Sequence, residues 1–290
     1  ELLGASAPAG SHWLADRQSG PLLLRFGSEE QRTAILPRVV RGECFFSIGM
    51  SEPDSGSDLA SVRTRAEPVP GGFRVNGTKI WTSGAHRSHY CVALVRTSGQ
   101  HGDRHKGLSQ LLVDLKTPGI SLRPIINLAG RHDWNEVTFH DCFVPESCLI
   151  GNEGDGWLQV TSELAFERSG PERFLQNLHV LRELVRVLGR QTSKRAASLL
   201  GRLIARLWNL RQMSLSVAGI MEAGQSPAIE GALVKDLGTI FQQDLPQAAV
   251  ARLDPAAGRP AAPAAVPSLA EEAGVSSVAA PEPEIGRASC

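Results

Sequence analysis

Between residues 44 and 150 the chain is cut by Gly and Pro into short apolar runs, while on either side apolar residues recur at helical spacing. That switch of period limits the fold more than any other feature, because a strand pattern cannot be buried as a helix or the reverse. The middle runs include Tyr90–Val95, Ser109–Asp114 and Asn135–His140. Gly71-Gly72, between Val62–Pro68 and Phe73–Val75, reads as a hairpin turn, and Asn76-Gly77 as a second turn. The spacing predicts about seven strands in a barrel or sandwich over 44–152.

Before that region, 1–43 reads as part of a helical domain. Ser28 is an N-cap followed by Glu29 and Glu30, Ala34, Ile35 and Val39 supply apolar positions, and Gly42 is a stop. After it, 153–250 reads as a helical bundle. Leu158, Val160, Leu164 and Phe166 fall in a first helix, then Leu181, Leu184, Val185 and Leu188, then Leu199, Leu203, Ile204 and Leu207. A last helix from Ala232 is expected to stop at Pro246. From 251 to 290 an Ala/Pro-rich composition predicts disorder. The fold class is therefore α+β, in the order helical, β, helical.

Thirty basic residues balance thirty acidic ones, so no global field favours nucleic acid or an anionic membrane. No apolar run approaches the ~20 residues of a membrane span. The five cysteines show neither metal nor disulfide spacing, which predicts reduced thiols. With no secretory pattern in ELLGASAPAGSHW, the expected location is cytoplasmic, an organellar matrix staying open for a eukaryotic chain. The chain does not begin with Met, which leaves targeting open as well.

Two segments carry the chemistry. In Ser51-Glu-Pro-Asp-Ser-Gly-Ser-Asp58, Pro53 fixes one φ angle, Gly56 permits close backbone approach, and hydroxyls and amides can face an acceptor-rich ligand. About twenty residues later comes Gly77-Thr-Lys-Ile-Trp-Thr-Ser-Gly-Ala85. A lone Trp81 is more often a core aromatic, and the loop alone is an ordinary connection. Together, however, they resemble the paired signature of the acyl-CoA dehydrogenase family. The resemblance continues through Phe139–Pro145, Leu149–Gly151, Gly156-Trp157 and Phe166-Glu-Arg168.

That resemblance implies an N-terminal helical domain, a middle β-domain and a C-terminal four-helix bundle, here incomplete. It implies FAD as cofactor, an acyl-CoA thioester as substrate, electron-transfer flavoprotein or a similar acceptor, and a homo- or hetero-oligomer. By position, Ile48, Met50, Ser51, Gly56 and Ser57 would line the flavin, Ser57 also touching substrate. Trp81, Thr82 and Ser83 would stand beside the ring. The implied reaction is α,β-dehydrogenation to a trans-2-enoyl-CoA, which needs a carboxylate at the α-proton.

Many members carry that base near the C-terminus in a stretch not found here; Glu282–Cys290 only faintly echoes it. A minority place it on the first helix after the β-domain, where Glu167 stands, followed by Arg168 to orient the thioester. Glu163 is a candidate exposed twin one turn away, and Glu172 and Arg173 suit an ordinary surface pair. The family's R-x-x-F-G segment is replaced by Gly189–Arg195, and the Ala/Pro tail stands where final helices are expected. A truncated chain, a disrupted reading frame or a divergent subunit would each account for this. Three functions follow: an active dehydrogenase, a non-catalytic partner subunit, or a related flavoprotein that uses oxygen.

Overall fold

The computed structural model describes residues 13–99, 103–189, 193–225 and 227–250. The Ala/Pro-rich tail, Cys290 and the centre of the Gly189–Arg195 segment lie outside the described residues.

A π-helical segment Ala15–Ser19 leads into α1 (Gly20–Phe26), and α2 (Glu29–Val40) follows. Ser28 closes a capping box on α2: its Oγ accepts from the Gln31 amide and the Gln31 side chain accepts from the Ser28 amide. Such a cap contributes about 1 kcal/mol. Ile35 and Val39 face inward, whereas Ala34 is exposed. Gly42 ends the segment at φ 71°, where a side chain would be strained.

Eight strands follow: β1 (Phe46–Gly49), β2 (Arg65–Val69), β3 (Gly72–Ser83), β4 (Tyr90–Arg96), β5 (Leu108–Asp114), β6 (Ile120–Ile126), β7 (His132–Pro145) and β8 (Leu149–Ile150). They form one sheet in the order β6-β7-β3-β2-β4-β5-β8, and β1 pairs in parallel with β4. The β2–β3 hairpin is present, but Val69 pairs with Gly72, so Pro70 and Gly71 make the turn. β4 reads as a continuous apolar run because both of its faces are covered. Cys91, Ala93 and Val95 enter the core with Val75, Val113 and Phe139. Val92 packs with Leu22, Leu23, Ile35 and Leu112 under the N-terminal helices.

Asn76-Gly77 is not a turn. It lies inside the continuous β3, at a register irregularity opposite β7. Gly77 has φ 149°, and a Cβ there would come within 2.8 Å of Thr64 atoms, so glycine is needed for close approach rather than reversal. The Asn76 side chain locks the irregularity by exchanging two hydrogen bonds with Asp141, at 3.0 and 2.9 Å.

The helical part contains α3 (Gly156–Arg168), α4 (Glu172–Leu175), α5 (Leu178–Leu188), α6 (Lys194–Glu222) and α7 (Ala228–Val250). Phe174, Leu181, Leu184, Leu203, Leu210, Phe241 and Leu245 form its core. Val160 of α3 instead packs with Val62, Leu94 and Leu108 of the β-region. Pro246 does not stop the last helix. The Gln242 carbonyl that loses its helical partner at Pro246 accepts instead from Asn177 Nδ2 at 2.8 Å, and α7 continues.

Cys44, Cys91 and Cys142 are buried free thiols, and Cys148 is a half-buried one. Among the described residues no helix is long and apolar enough to cross a membrane, and no cluster of His, Cys, Asp and Glu could hold a metal ion.

Candidate flavin-binding wall

The two segments singled out in the sequence are joined directly. The Ile80 amide donates to the Ser51 carbonyl at 2.9 Å. Lys79 Nζ donates to the Met50 carbonyl at 3.1 Å and to Glu52 Oε1 at 2.8 Å. Glu52 also accepts from the amides of Arg63 and Thr64, at 2.6 and 2.8 Å. Lys79 is fully buried and Glu52 nearly so. Burial alone would raise the Glu52 carboxyl, but Lys79 and these hydrogen bonds outweigh it and hold it below the usual carboxylate range. Sequence reasoning missed this pair. Its signal was present in the period of two along Phe73, Val75, Gly77 and Lys79, which puts a lysine in phase with core residues.

Gly49 makes room for the lysine. A Cβ there would lie 2.9 Å from Cys91 Sγ and 3.3 Å from Lys79 Cγ. Beyond it the loop turns on itself, Glu52 and Ser55 exchanging backbone hydrogen bonds while Ser55 Oγ donates to the Asp58 carbonyl at 2.8 Å. Gly56 and Ser57 are exposed at its tip, and a Cβ on Gly56 would meet nothing within 4 Å among the described residues. The chain's own packing therefore makes no demand for glycine at that position.

Next to the lysine, β3 bulges. Lys79 pairs with Val137 and Thr82 with Asn135, so β3 spends one more residue than β7. Trp81, inside the bulge, has φ 60°, a left-handed conformation that a bulky residue adopts only when its surroundings hold it there. The residue is 56% exposed and its ring meets Trp134 edge-on at 6.1 Å, so it is not a core aromatic.

One cavity opens on this bulge and a second beside it. The first, about 220 Å3, is lined by Ile48, Met50, Ser51, Ile80, Trp81 and Ser83, with Leu14 and Gln18 from the N-terminal helical segment. The other, about 500 Å3, shares Leu14 and Ser83 and adds Phe45, Phe46, Gly84, Arg87, Ser88 and Asp133. Five of the predicted cofactor residues thus line one space. Thr82 does not: its side chain is fully buried, and among the described residues Oγ1 has no hydrogen-bond partner.

Glu167 and Arg168 line neither of these two cavities and stand at the end of α3. Arg173 Nη2 donates to Glu167 Oε1 at 2.5 Å, and its guanidinium also reaches the carbonyls of Glu167 and Arg168. Glu172 Oε1 lies 3.6 Å from Arg173 Nε. Glu172 and Arg173 are largely buried, so they are not a surface pair, and burial pushes the Glu172 carboxyl up. Glu163 is not exposed either. It is enclosed between α3 and β5 with one hydrogen bond, from Gln110 Nε2 at 3.3 Å, and burial raises its carboxyl to about 7.

Comparison with known proteins identifies the family. Residues 47–142, from β1 into β7, match the acyl-CoA dehydrogenase middle-domain family. Over 233 residues the chain is 38% identical to the acyl-CoA dehydrogenase IpdE1 of Mycobacterium tuberculosis, covering 79% of this chain and 59% of that protein. The chain thus spans less than two thirds of that relative's length. The crystal structure of the ChsE4–ChsE5 complex from Mycobacterium tuberculosis superposes with TM-score 0.74 at 30% identity, covering 89% of this chain and 68% of that one. A structure titled Tcur3481–Tcur3483 steroid ACAD gives TM-score 0.79 at 28% identity, covering 91% and 69%. On the matched middle domain, the 38% identical relative and the shared fold, the chain belongs to the acyl-CoA dehydrogenase family.

Proposed function

We propose that this chain is an FAD-dependent acyl-CoA dehydrogenase that converts an acyl-CoA thioester to its trans-2-enoyl-CoA. The observation that carries the reading is the continuous wall from Ile48 to Ser83, which the Ile80–Ser51 and Lys79–Glu52 contacts hold together. Apolar side chains with two hydroxyls at the edge suit a flat ring with apolar faces and a polar rim. Ile48, Met50, Ser51, Ile80, Trp81 and Ser83 would hold it, with Gly56 and Ser57 at the loop tip. Thr82 contributes through its backbone position, since its side chain is enclosed. FAD, when bound, supplies the acceptor for the hydride that leaves the β-carbon.

In this reading Glu167 takes the α-proton and Arg168 orients the thioester. One oxygen of Glu167 is held by Arg173, which fixes the carboxylate at the helix end. Electrons then pass to an electron-transfer flavoprotein or similar acceptor. The division at 43/44 and 152/153 into helical, β and helical domains belongs to the same proposal.

Glu167→Gln is expected to slow anaerobic flavin bleaching by acyl-CoA by at least about 100-fold, the low end for a positioned general base. Acyl-CoA binding should change little. Near-wild-type bleaching in the variant would take the role from Glu167.

A second reading, a partner subunit of a heteromeric dehydrogenase, is favoured by the complex among the similar structures. Purification alone, addition of FAD, desalting and a visible spectrum separate the two. Stoichiometric flavin on the isolated chain supports the self-sufficient enzyme; flavin retained only after mixing with an intact homologue supports the subunit.

A further inference from the structure

The Trp81 bulge needs a restraint, and the structure supplies one on β7. Asn135 is fully buried and stands opposite Thr82. Its Nδ2 lies 3.1 Å from the Thr82 carbonyl and 3.1 Å from His86 Nδ1, and its Oδ1 lies 2.8 Å from His132 Nε2. These contacts fix the protons between the four groups. The Thr82 carbonyl can only accept, so the amide nitrogen must face it. The second hydrogen on that nitrogen then points to His86 Nδ1, which must be unprotonated. Oδ1 in turn accepts from a protonated His132 Nε2.

The two imidazoles stack at 3.7 Å with planes 17° apart. They close the turn Ala85–Arg87 against β7, and the Gly84 amide donates to the Asp133 carbonyl at 3.0 Å. Ser83, Gly84 and Asp133 line the larger cavity, and Trp134, next to Asn135, is the ring that Trp81 meets. One amide side chain therefore ties the bulge, the turn and the cavity edge together.

We propose that Asn135 and His86 form a proton-gated positioning clamp that holds Trp81 and Ser83 toward the cavity and opens when His86 takes up a proton. A proton on Nδ1 would set two donors face to face across 3.1 Å, forcing the ring or the amide to turn. The titratable and charged groups facing His86 are His132 and Asp133 on β7 and Arg87 on its own turn. Burial, His132 and Arg87 together hold the imidazole below its ordinary value, against the opposing pull of the Asn135 hydrogen bond and Asp133. The closed clamp is thus the neutral-pH form, and its stabilisation is lost as pH falls below the ordinary histidine range. Asn135 and His86 are positioning residues, acting on ligand only through Trp81 and Ser83. That last step rests on the flavin reading; the clamp itself does not.

The test uses the full chain and two readouts. The first is the near-UV circular dichroism of the Trp81–Trp134 contact, followed from pH 8 to pH 5 without ligand. Wild type should show a one-proton step, and Trp81→Phe should lose most of its amplitude. His86→Phe, at an exposed position, keeps a ring for the stack and should abolish the step. Asn135→Asp puts a carboxylate opposite His86 and should move the step to higher pH. The second readout is FAD affinity by equilibrium dialysis. It should fall about tenfold over the same range in wild type, the scale of one lost hydrogen bond, and stay flat in His86→Phe. A step that survives in His86→Phe, or no step in wild type, overturns the clamp. A step without FAD uptake at any pH, by the chain alone or with an intact homologous chain added, leaves the clamp standing and removes the flavin assignment.

Discussion

Lys79→Met is expected to destabilise the protein by about 3–5 kcal/mol, the range for removing one partner of a buried ion pair. The methionine fills most of the space, so little of the loss comes from a cavity. The loss arises because Glu52 stays buried without its counter-charge, while the Met50 carbonyl loses a donor. The double variant Lys79→Met/Glu52→Gln should recover part of the stability, since no uncompensated charge remains. Urea denaturation midpoints at pH 7 measure both. A loss under about 1 kcal/mol in the single variant, a surface-pair value, would show that the pair does not hold the wall together. The acid side has a defined sign. Because Glu52 is held below its ordinary value, its stabilisation is present above the unfolded carboxylate range and lost as pH falls through the folded value.

Glu163→Gln is expected to stabilise the protein at pH 8 and to change little near pH 4.5. In the folded chain the carboxyl titrates near 7 rather than 4.5, so between those values the native state binds more protons than the unfolded state. Stability therefore falls as pH rises across that window, by at most about 3 kcal/mol. Glutamine keeps the shape and an acceptor for Gln110 Nε2, and it has no charge to bury. Denaturation curves at the two pH values check the difference. An equal effect at both would mean that the Glu163 charge is solvated, contrary to its enclosure between α3 and β5.

The α+β order and most strands were legible because they rest on period. Strands β4 and β5 are apolar runs covered on both faces, and α2 carries its cap in the sequence. The misreadings share one cause, which is that a local signal was satisfied by a distant partner. Asn76-Gly77 reads as a turn until Asp141 and Thr64 are placed beside it. Pro246 reads as a stop until Asn177 occupies the carbonyl it exposes. Glu163 and Glu172 read as surface carboxylates because helical spacing alone does not say which face β5 or Arg173 covers. The cavity residues Ile48, Met50, Ser51, Trp81 and Ser83 were legible as a motif. Their support was not: Lys79 meets Glu52, and Asn135 meets Thr82 and His86, across long sequence separations that only the fold closes.

Equilibrium dialysis of FAD against the wild-type chain and Trp81→Ala tests the flavin wall most directly. The wild type should take up one flavin per chain saturably. Binding by the isolated chain should be weak, because the family's R-x-x-F-G donors to the pyrophosphate have no counterpart in its sequence. Each charge-assisted phosphate contact missing removes about 1.5–3 kcal/mol. An intact homologous chain added to the dialysis should tighten uptake, and Trp81→Ala should weaken it about tenfold or more in both settings, the scale of a lost ring contact. No saturable uptake in either setting, or uptake indifferent to Trp81→Ala, would contradict the account.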